Sequence, residues 1–115
     1  MKITTAEFTH TDARRKLTQL FTSNVAQVNE YEANRGAILG DHYHKDTYET
    51  FYVTRGTAKV TVDDAEFVAT RGTLFTVFPN ENHVVEVLSH KFNMFTFLSK
   101  PYTQENPDIW KSEKP

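Results

Sequence analysis

The sequence predicts an all-β fold, a sandwich or barrel of short antiparallel strands, on three observations. Apolar and polar residues alternate with a period of two in short runs, most clearly in Thr57-Ala58-Lys59-Val60-Thr61-Val62. Turn-forming pairs punctuate these runs at short intervals: Arg35-Gly36, Arg55-Gly56, Asp63-Asp64, Arg71-Gly72 and Pro79-Asn80. Aromatic residues make up 13% of the chain, nine Phe and five Tyr, and such rings pack well on a pleated surface. No long helix is expected.

Taken in order, residues 12–21 read as a first strand, with alternation around Leu17, and residues 25–31 as a second, less regular one. Residues 33–36 turn. Residues 37–44 form a strand whose strict alternation puts Ile38, Gly40, His42 and His44 on one face and Leu39, Asp41 and Tyr43 on the other. Gly40 either leaves room for a ligand beside the histidines or marks a bulge. Lys45-Asp46-Thr47 is a polar loop, and residues 49–54 restart a strand with Glu49, Phe51 and Val53 on one face. Asp63-Asp64 tips a hairpin after the strand at 57–62, and Phe67 and Val68 begin its return. Strands at 73–78, 83–88 and 92–98 follow, with a strong turn at 79–82. The last has apolar residues on both faces and is expected to be covered on both sides. The tail at 99–115 carries three prolines and reads as irregular, with one helical turn near 106–110 and Trp110 docking it onto the rest.

Composition narrows the function. The 115 residues suit one domain, here taken as 1–115. A net charge of -2 gives no basic footprint for nucleic acid and no anchor for anionic lipid. No apolar run approaches the length of a membrane span, and Met1 to Thr11 has no apolar stretch of the signal type, so a cytoplasmic protein is expected. With no cysteine there is no disulfide, no thiolate metal site and no cysteine nucleophile.

His42 and His44, two apart on a strand, direct both imidazoles to one face. Glu49 opens the next strand, and His83 begins a later one after the Pro79 turn. Three neutral imidazoles and one carboxylate make a ligand set for one divalent metal, with Zn, Fe, Mn, Ni and Co all compatible.

The stretch from Gly36 to Gly56 resembles the first motif of the cupin superfamily: Gly36, five residues, His42, one, His44, four, Glu49, six, Gly56. A partial second motif lies within 72–87. Gly72, Pro79 and His83 are present, with the first gap one residue longer and the second one shorter than the usual form, so Gly72 to His83 keeps the overall separation. The resemblance implies a jelly-roll β-barrel of two antiparallel sheets with the metal on His42, His44, Glu49 and His83. Gln27-Val28-Asn29 and the run from Arg35 to His44 are also similar to cupins that process nucleotide-linked deoxysugars, among them dTDP-sugar epimerases, ketoisomerases and the cupin domains of capsular sugar reductases. The epimerases carry an Arg where Leu39 stands here, and use as base a His at the position of His42. A metal-bound imidazole is not free to take a proton, so the metal-bearing branch fits these residues better.

The function expected is a metal-assisted isomerisation or epimerisation of a small polar ligand, a sugar or sugar derivative. The alternatives are a non-haem iron dioxygenase, which uses the same ligand set, and a sugar-binding module without turnover. No catalytic base stands out; Tyr52, Glu81 and Glu86 are the candidates. Leu39 and Tyr43 outward on one strand, with Tyr48 and Tyr52 outward on the next, suggest an apolar patch and a homodimer.

Overall fold

The structure is a computed structural model describing residues 1–5 and 8–112. It is all-β, with twelve strands and no helix among the described residues. The strands are β1 (Lys2–Ile3), β2 (Phe8–Thr11), β3 (Lys16–Gln19), β4 (Gln27–Asn34), β5 (Ile38–Tyr43) and β6 (Glu49–Arg55). They continue with β7 (Thr57–Val62), β8 (Ala65–Thr70), β9 (Leu74–Val77), β10 (His83–Val87), β11 (Lys91–Leu98) and β12 (Trp110–Lys111). Two five-stranded antiparallel sheets form, in the orders β1-β9-β6-β11-β4 and β12-β5-β10-β7-β8. This is the jelly-roll arrangement, although the described backbone ladders do not join the two sheets into a continuous barrel.

The core lies between the sheets. Ala58, Val60 and Val62, the inward set of the clearest alternating run, are at most 2% exposed. Val85 and Val87 join them from the same sheet, and Phe51, Val53, Phe75, Val77, Phe92 and Met94 face them from the other. Phe75 stacks on Phe51 at 4.6 Å and takes Phe67 edge-on at 5.2 Å, which ties the two sheets together.

Several boundaries differ from the sequence reading. Residues 12–21 are not one strand. β2 and β3 form a separate hairpin whose tip is held by Asp12, which accepts the Arg14 and Arg15 amides at 2.8 and 3.1 Å. β4 runs on to Asn34, because all eight of its residues pair with β11. The tail has no helical turn at 106–110. It passes as irregular chain into β12, which pairs with β5 at Tyr43 and His42. The end of the expected irregular tail, 113–115, lies outside the described residues.

The most consequential difference is in β5. Gly40 and Asp41 both adopt positive φ, 93° and 69°, and the ladder to β10 slips there, from His42 opposite His83 to Gly40 opposite Val84. The extra residue inverts the alternation. Leu39 packs against the core and Ile38 is exposed, the reverse of the strict pattern. The outward patch expected from Leu39, Tyr43, Tyr48 and Tyr52 therefore does not form as one surface: Leu39 is inside, and Tyr43 and Tyr52 lie on different sheets.

Gly40 is required at the bulge for two reasons. Its φ is one that side-chain-bearing residues rarely adopt, and a Cβ there would lie 2.8 Å from the His83 carbonyl oxygen. Gly40→Ala is expected to lower stability by about 1–3 kcal/mol in denaturant unfolding. An unchanged midpoint would show that the bulge relaxes at no cost.

Candidate metal centre

The bulge delivers His42 to the inner face at the end of β5, directly opposite His83 at the start of β10. His44 follows just beyond β5, and Glu49 enters from β6 of the facing sheet. One donor atom from each of the four lies within 4.8 Å of the others. His44, Glu49 and His83 are buried, and His42 is half-buried on the open side. The structure thus brings together the four residues that the sequence singled out as metal ligands.

Hydrogen bonds orient two of the rings. His44 donates through Nδ1 to the Asp108 carbonyl at 2.7 Å, and His83 through Nδ1 to the Glu81 carbonyl at 3.2 Å. Both arrangements leave Nε2 directed to the centre, where a neutral ring presents a lone pair. His44 Nε2 meets Glu49 Oε1 at 3.0 Å. His83 Nε2 lies 3.4 Å from the same oxygen, buried and without a hydrogen-bond partner. A buried ring nitrogen in that state is costly unless something accepts its lone pair. The donor set fits a divalent cation: three imidazoles, one anionic oxygen, and an orphaned nitrogen aimed among them.

The electrostatics follow from this packing. Burial, then the neighbouring His83 and His44 rings, push the His42 pKa down to about 4. Burial would raise Glu49, but the His44 and His83 imidazoles outweigh it and hold the carboxyl at about 2. Burial also opposes a charged His44, yet the Glu49 carboxylate and the Asp108 carbonyl outweigh it and raise that ring above its ordinary value. The His44–Glu49 contact thus favours the charged form of each partner, while the surroundings of His42 favour its neutral form.

The centre opens through a mouth of about 420 Å³ lined by Gln27, Asn29, Tyr31, Tyr102 and Ile109 together with His42, His44 and Glu49. Behind it a small void of about 30 Å³ reaches inward past Leu39, Phe51 and Met94. Tyr31, His42 and Glu49 line both spaces. Burial and the Glu49 charge raise the Tyr31 pKa, so its phenol stays protonated and can donate to a ligand oxygen.

The three candidate catalytic residues stand elsewhere. Tyr52 is on the face of β6 opposite to Glu49. The Glu81 carboxylate binds the N-terminal ammonium and the Phe78 amide, both at 2.7 Å, and Glu86 pairs with Lys59 at 3.5 Å. None lines the mouth or the void. The sequence reading missed Tyr31 and Asp108. Gln27, Asn29 and Tyr31 do alternate along β4, a signal for a polar pocket wall; Asp108 carries no local signal.

The sequence profile described as Cupin domain matches residues 29–98. The chain belongs to the cupin family. No curated protein matches this cupin. Among solved structures, it is similar to the WlaRB TDP-quinovose 3,4-ketoisomerase from Campylobacter jejuni, with a TM-score of 0.80, 15% identity, and coverage of 96% of this chain and 92% of that one. It also resembles CapF, a capsular polysaccharide assembling protein from Staphylococcus aureus, with a TM-score of 0.73, 18% identity and 93% of this chain covered. This cupin spans about a third, 34%, of the length of CapF. A third similar structure is ChmJ, a 3'-monoepimerase from Streptomyces bikiniensis, with a TM-score of 0.72, 18% identity, and coverage of 90% and 64% of the two chains. At these identities the likeness establishes the fold.

The pH dependence of the metal-free protein has a defined sign. The unfolded chain protonates His42 near 6.5 and the fold only near 4, so stability falls as pH drops through that window. Glu49 acts in the same direction lower down: its stabilisation is present above 4.5 and lost as pH falls toward about 2. His44 acts oppositely: its contribution is full below 6.5 and lost as pH rises through its raised folded value. The melting temperature of metal-free protein is therefore expected to fall from pH 6.5 to 4, and His42→Gln to flatten that limb. An unaltered slope in the variant would assign the limb to other groups.

Proposed function

We propose that this cupin holds one divalent metal on His42, His44, Glu49 and His83 and isomerises or epimerises a small oxygen-rich ligand, a sugar or sugar derivative, in the cytoplasm. The observation that carries the metal reading is the buried, unpartnered Nε2 of His83 aimed at the Glu49 carboxylate. The polar mouth and the likeness to a sugar ketoisomerase and an epimerase support the ligand class. When bound, the metal supplies a Lewis acid for a carbonyl or hydroxyl oxygen, which acidifies the neighbouring C–H.

The chain's own residues do the rest. Tyr31 keeps its proton and donates a hydrogen bond to a ligand oxygen beside the centre. Gln27 is fixed in the mouth: its Oε1 accepts the Tyr102 amide at 2.9 Å and its Nε2 donates to Asn29 at 3.0 Å. These groups hold a polyhydroxylated ligand in one orientation, while Leu39, Phe51 and Met94 keep the inner side dry.

The same reading takes the chain as a homodimer. The hairpin of β2 and β3 pairs with no other described strand, and an isolated two-stranded hairpin is marginal in water. β4 is an edge strand of eight residues, with Val28 exposed. Light scattering at high protein concentration is expected to give twice the chain mass; a clean monomer would remove the dimer.

Elemental analysis of protein purified without chelator is expected to give one divalent ion per chain. His83→Ala should weaken metal binding as severely as His44→Ala, and retention of full metal by a His42→Ala, His44→Ala double variant would refute the site. In a panel of keto sugars and nucleotide-linked sugars in deuterated water, turnover is expected as deuterium incorporation next to the carbonyl. Tyr31→Phe should slow it roughly tenfold at unchanged metal content. Oxygen consumption by iron-loaded protein, with no exchange on any sugar, would instead favour the dioxygenase.

A further inference from the structure

Asp108 makes more contacts across the fold than any feature of its sequence suggests. It stands in the irregular tail, 9% exposed, with a positive φ of 48°. Its Oδ1 accepts the Lys45 amide at 2.9 Å, and its Oδ2 accepts the Asp46 amide at 2.9 Å and the Thr47 hydroxyl at 2.8 Å. The Trp110 indole donates to Oδ1 at 3.3 Å, and Lys45 Nζ lies 3.7 Å above the same indole ring. The Asp108 main-chain carbonyl accepts the Nδ1 proton of His44 at 2.7 Å. Just beyond, β12 pairs with β5 at Tyr43 and His42.

One residue thus binds the Lys45 and Asp46 amides, the Thr47 hydroxyl and also the imidazole that precedes them. We propose that the segment from Asp108 to Lys111 is a clasp that sets the orientation of the His44 ring, with Asp108 as its positioning residue. The side chain and the main chain have separate tasks. The carboxylate fixes the loop on which His44 stands, and the carbonyl selects the tautomer that turns Nε2 inward. Either alone leaves the ring free to rotate: the loop could hold while the ring turns, or the ring could keep its partner while the loop drifts. The clasp also brings Ile109 against the mouth as a wall. The consequence for metal binding rests on the proposed role of His44 as a ligand; the orientation of the ring does not.

Cobalt(II) titration of the full chain tests this, read as affinity and as the visible absorption of the bound ion. Asp108→Gly removes the carboxylate while suiting the positive φ. Asp108→Asn keeps one acceptor oxygen and a residue type that tolerates that φ. Thr47→Val loosens the loop without touching His44. Asp108→Gly is expected to weaken cobalt binding about 10–100-fold and alter its absorption spectrum, as loss of an outer partner of a ligand does. Asp108→Asn should recover most of the spectrum, and Thr47→Val, which removes one of the three loop contacts to the carboxylate, should shift affinity and spectrum in the same direction as Asp108→Gly but less. Wild-type affinity and spectrum in Asp108→Gly would overturn the clasp.

Two metal-free measurements separate this from failure of the metal reading itself. In Asp108→Gly, amide exchange at Lys45 and Asp46 should accelerate by about tenfold or more, and the His44 ring nitrogens should lose their Nδ1-protonated signature. If the wild type takes up no cobalt but these changes appear, the proposed function falls and the clasp stands. If Asp108→Gly does not fold, Asp108→Asn decides, since its NH2 cannot accept from both loop amides; unchanged exchange at both would overturn the proposal.

Discussion

The arrangement of this molecule depends on one irregularity, the bulge at Gly40 and Asp41. β5 must serve two masters along six residues. Its first half has to send Leu39 into the core, and its second half has to send His42 to the same inner face, with His44 following just beyond the strand. A regular strand cannot do both, because Leu39 and His42 are three apart and period-two alternation puts them on opposite faces. Two consecutive positive-φ residues absorb the extra step, and the ladder resumes with His42 opposite His83. The close approach of Gly40 to the His83 carbonyl then locks the bulge to the strand that carries another of the candidate ligands.

A second constraint is electrostatic. The centre sits at one end of an apolar core, where Phe51 packs edge-on against the His83 ring at 5.7 Å. A carboxylate in such a place is costly unless it is paired, and Glu49 is paired by the imidazoles around it. The pairing is lopsided. His44 satisfies Glu49 with a good hydrogen bond, whereas His83 comes near without completing one. A cation among the four donors would take up the lone pair that the protein leaves unused, and would displace the proton that His44 shares with Glu49.

Much of this was legible in the sequence, and the parts that were not share a cause. The spacing from Gly36 to Gly56 carries three of the four candidate ligands, His42, His44 and Glu49, because those residues are close in the chain and their separations are fixed by strand and loop geometry. The alternation at 57–62 carried the inward face of β7 for the same reason. The parity of Leu39 is not legible in the sequence because a glycine in a strand is ambiguous, and only the partner strand reveals that Gly40 and Asp41 form a bulge. Asp108 lies 64 residues from His44 in sequence, and a lone acidic residue after a proline has no periodicity to betray its contacts. Tyr31 sits in a strand whose alternation is weak in sequence, and its side of β4 becomes recognisable as a pocket wall only when the strand lies beside the centre.

The two oriented histidines show how the labour is divided. The strands deliver His42, His83 and Glu49 to one place, since a sheet fixes direction well. A ladder cannot choose an imidazole tautomer, because its carbonyls are spent on amides. Both carbonyls that do so here come from irregular chain, Glu81 in the turn before β10 and Asp108 in the tail. Backbone outside a ladder has carbonyls to spare, but it needs to be held in place. Glu81 is held by its own carboxylate, which binds the Phe78 amide and the chain's N-terminus. Asp108 is held by its carboxylate on the 45–47 loop. In each case an acidic residue anchors itself through its side chain and orients a histidine through its main chain. The same device, built twice from segments unrelated in sequence, turns the Nε2 atoms of His44 and His83 toward the Glu49 carboxylate.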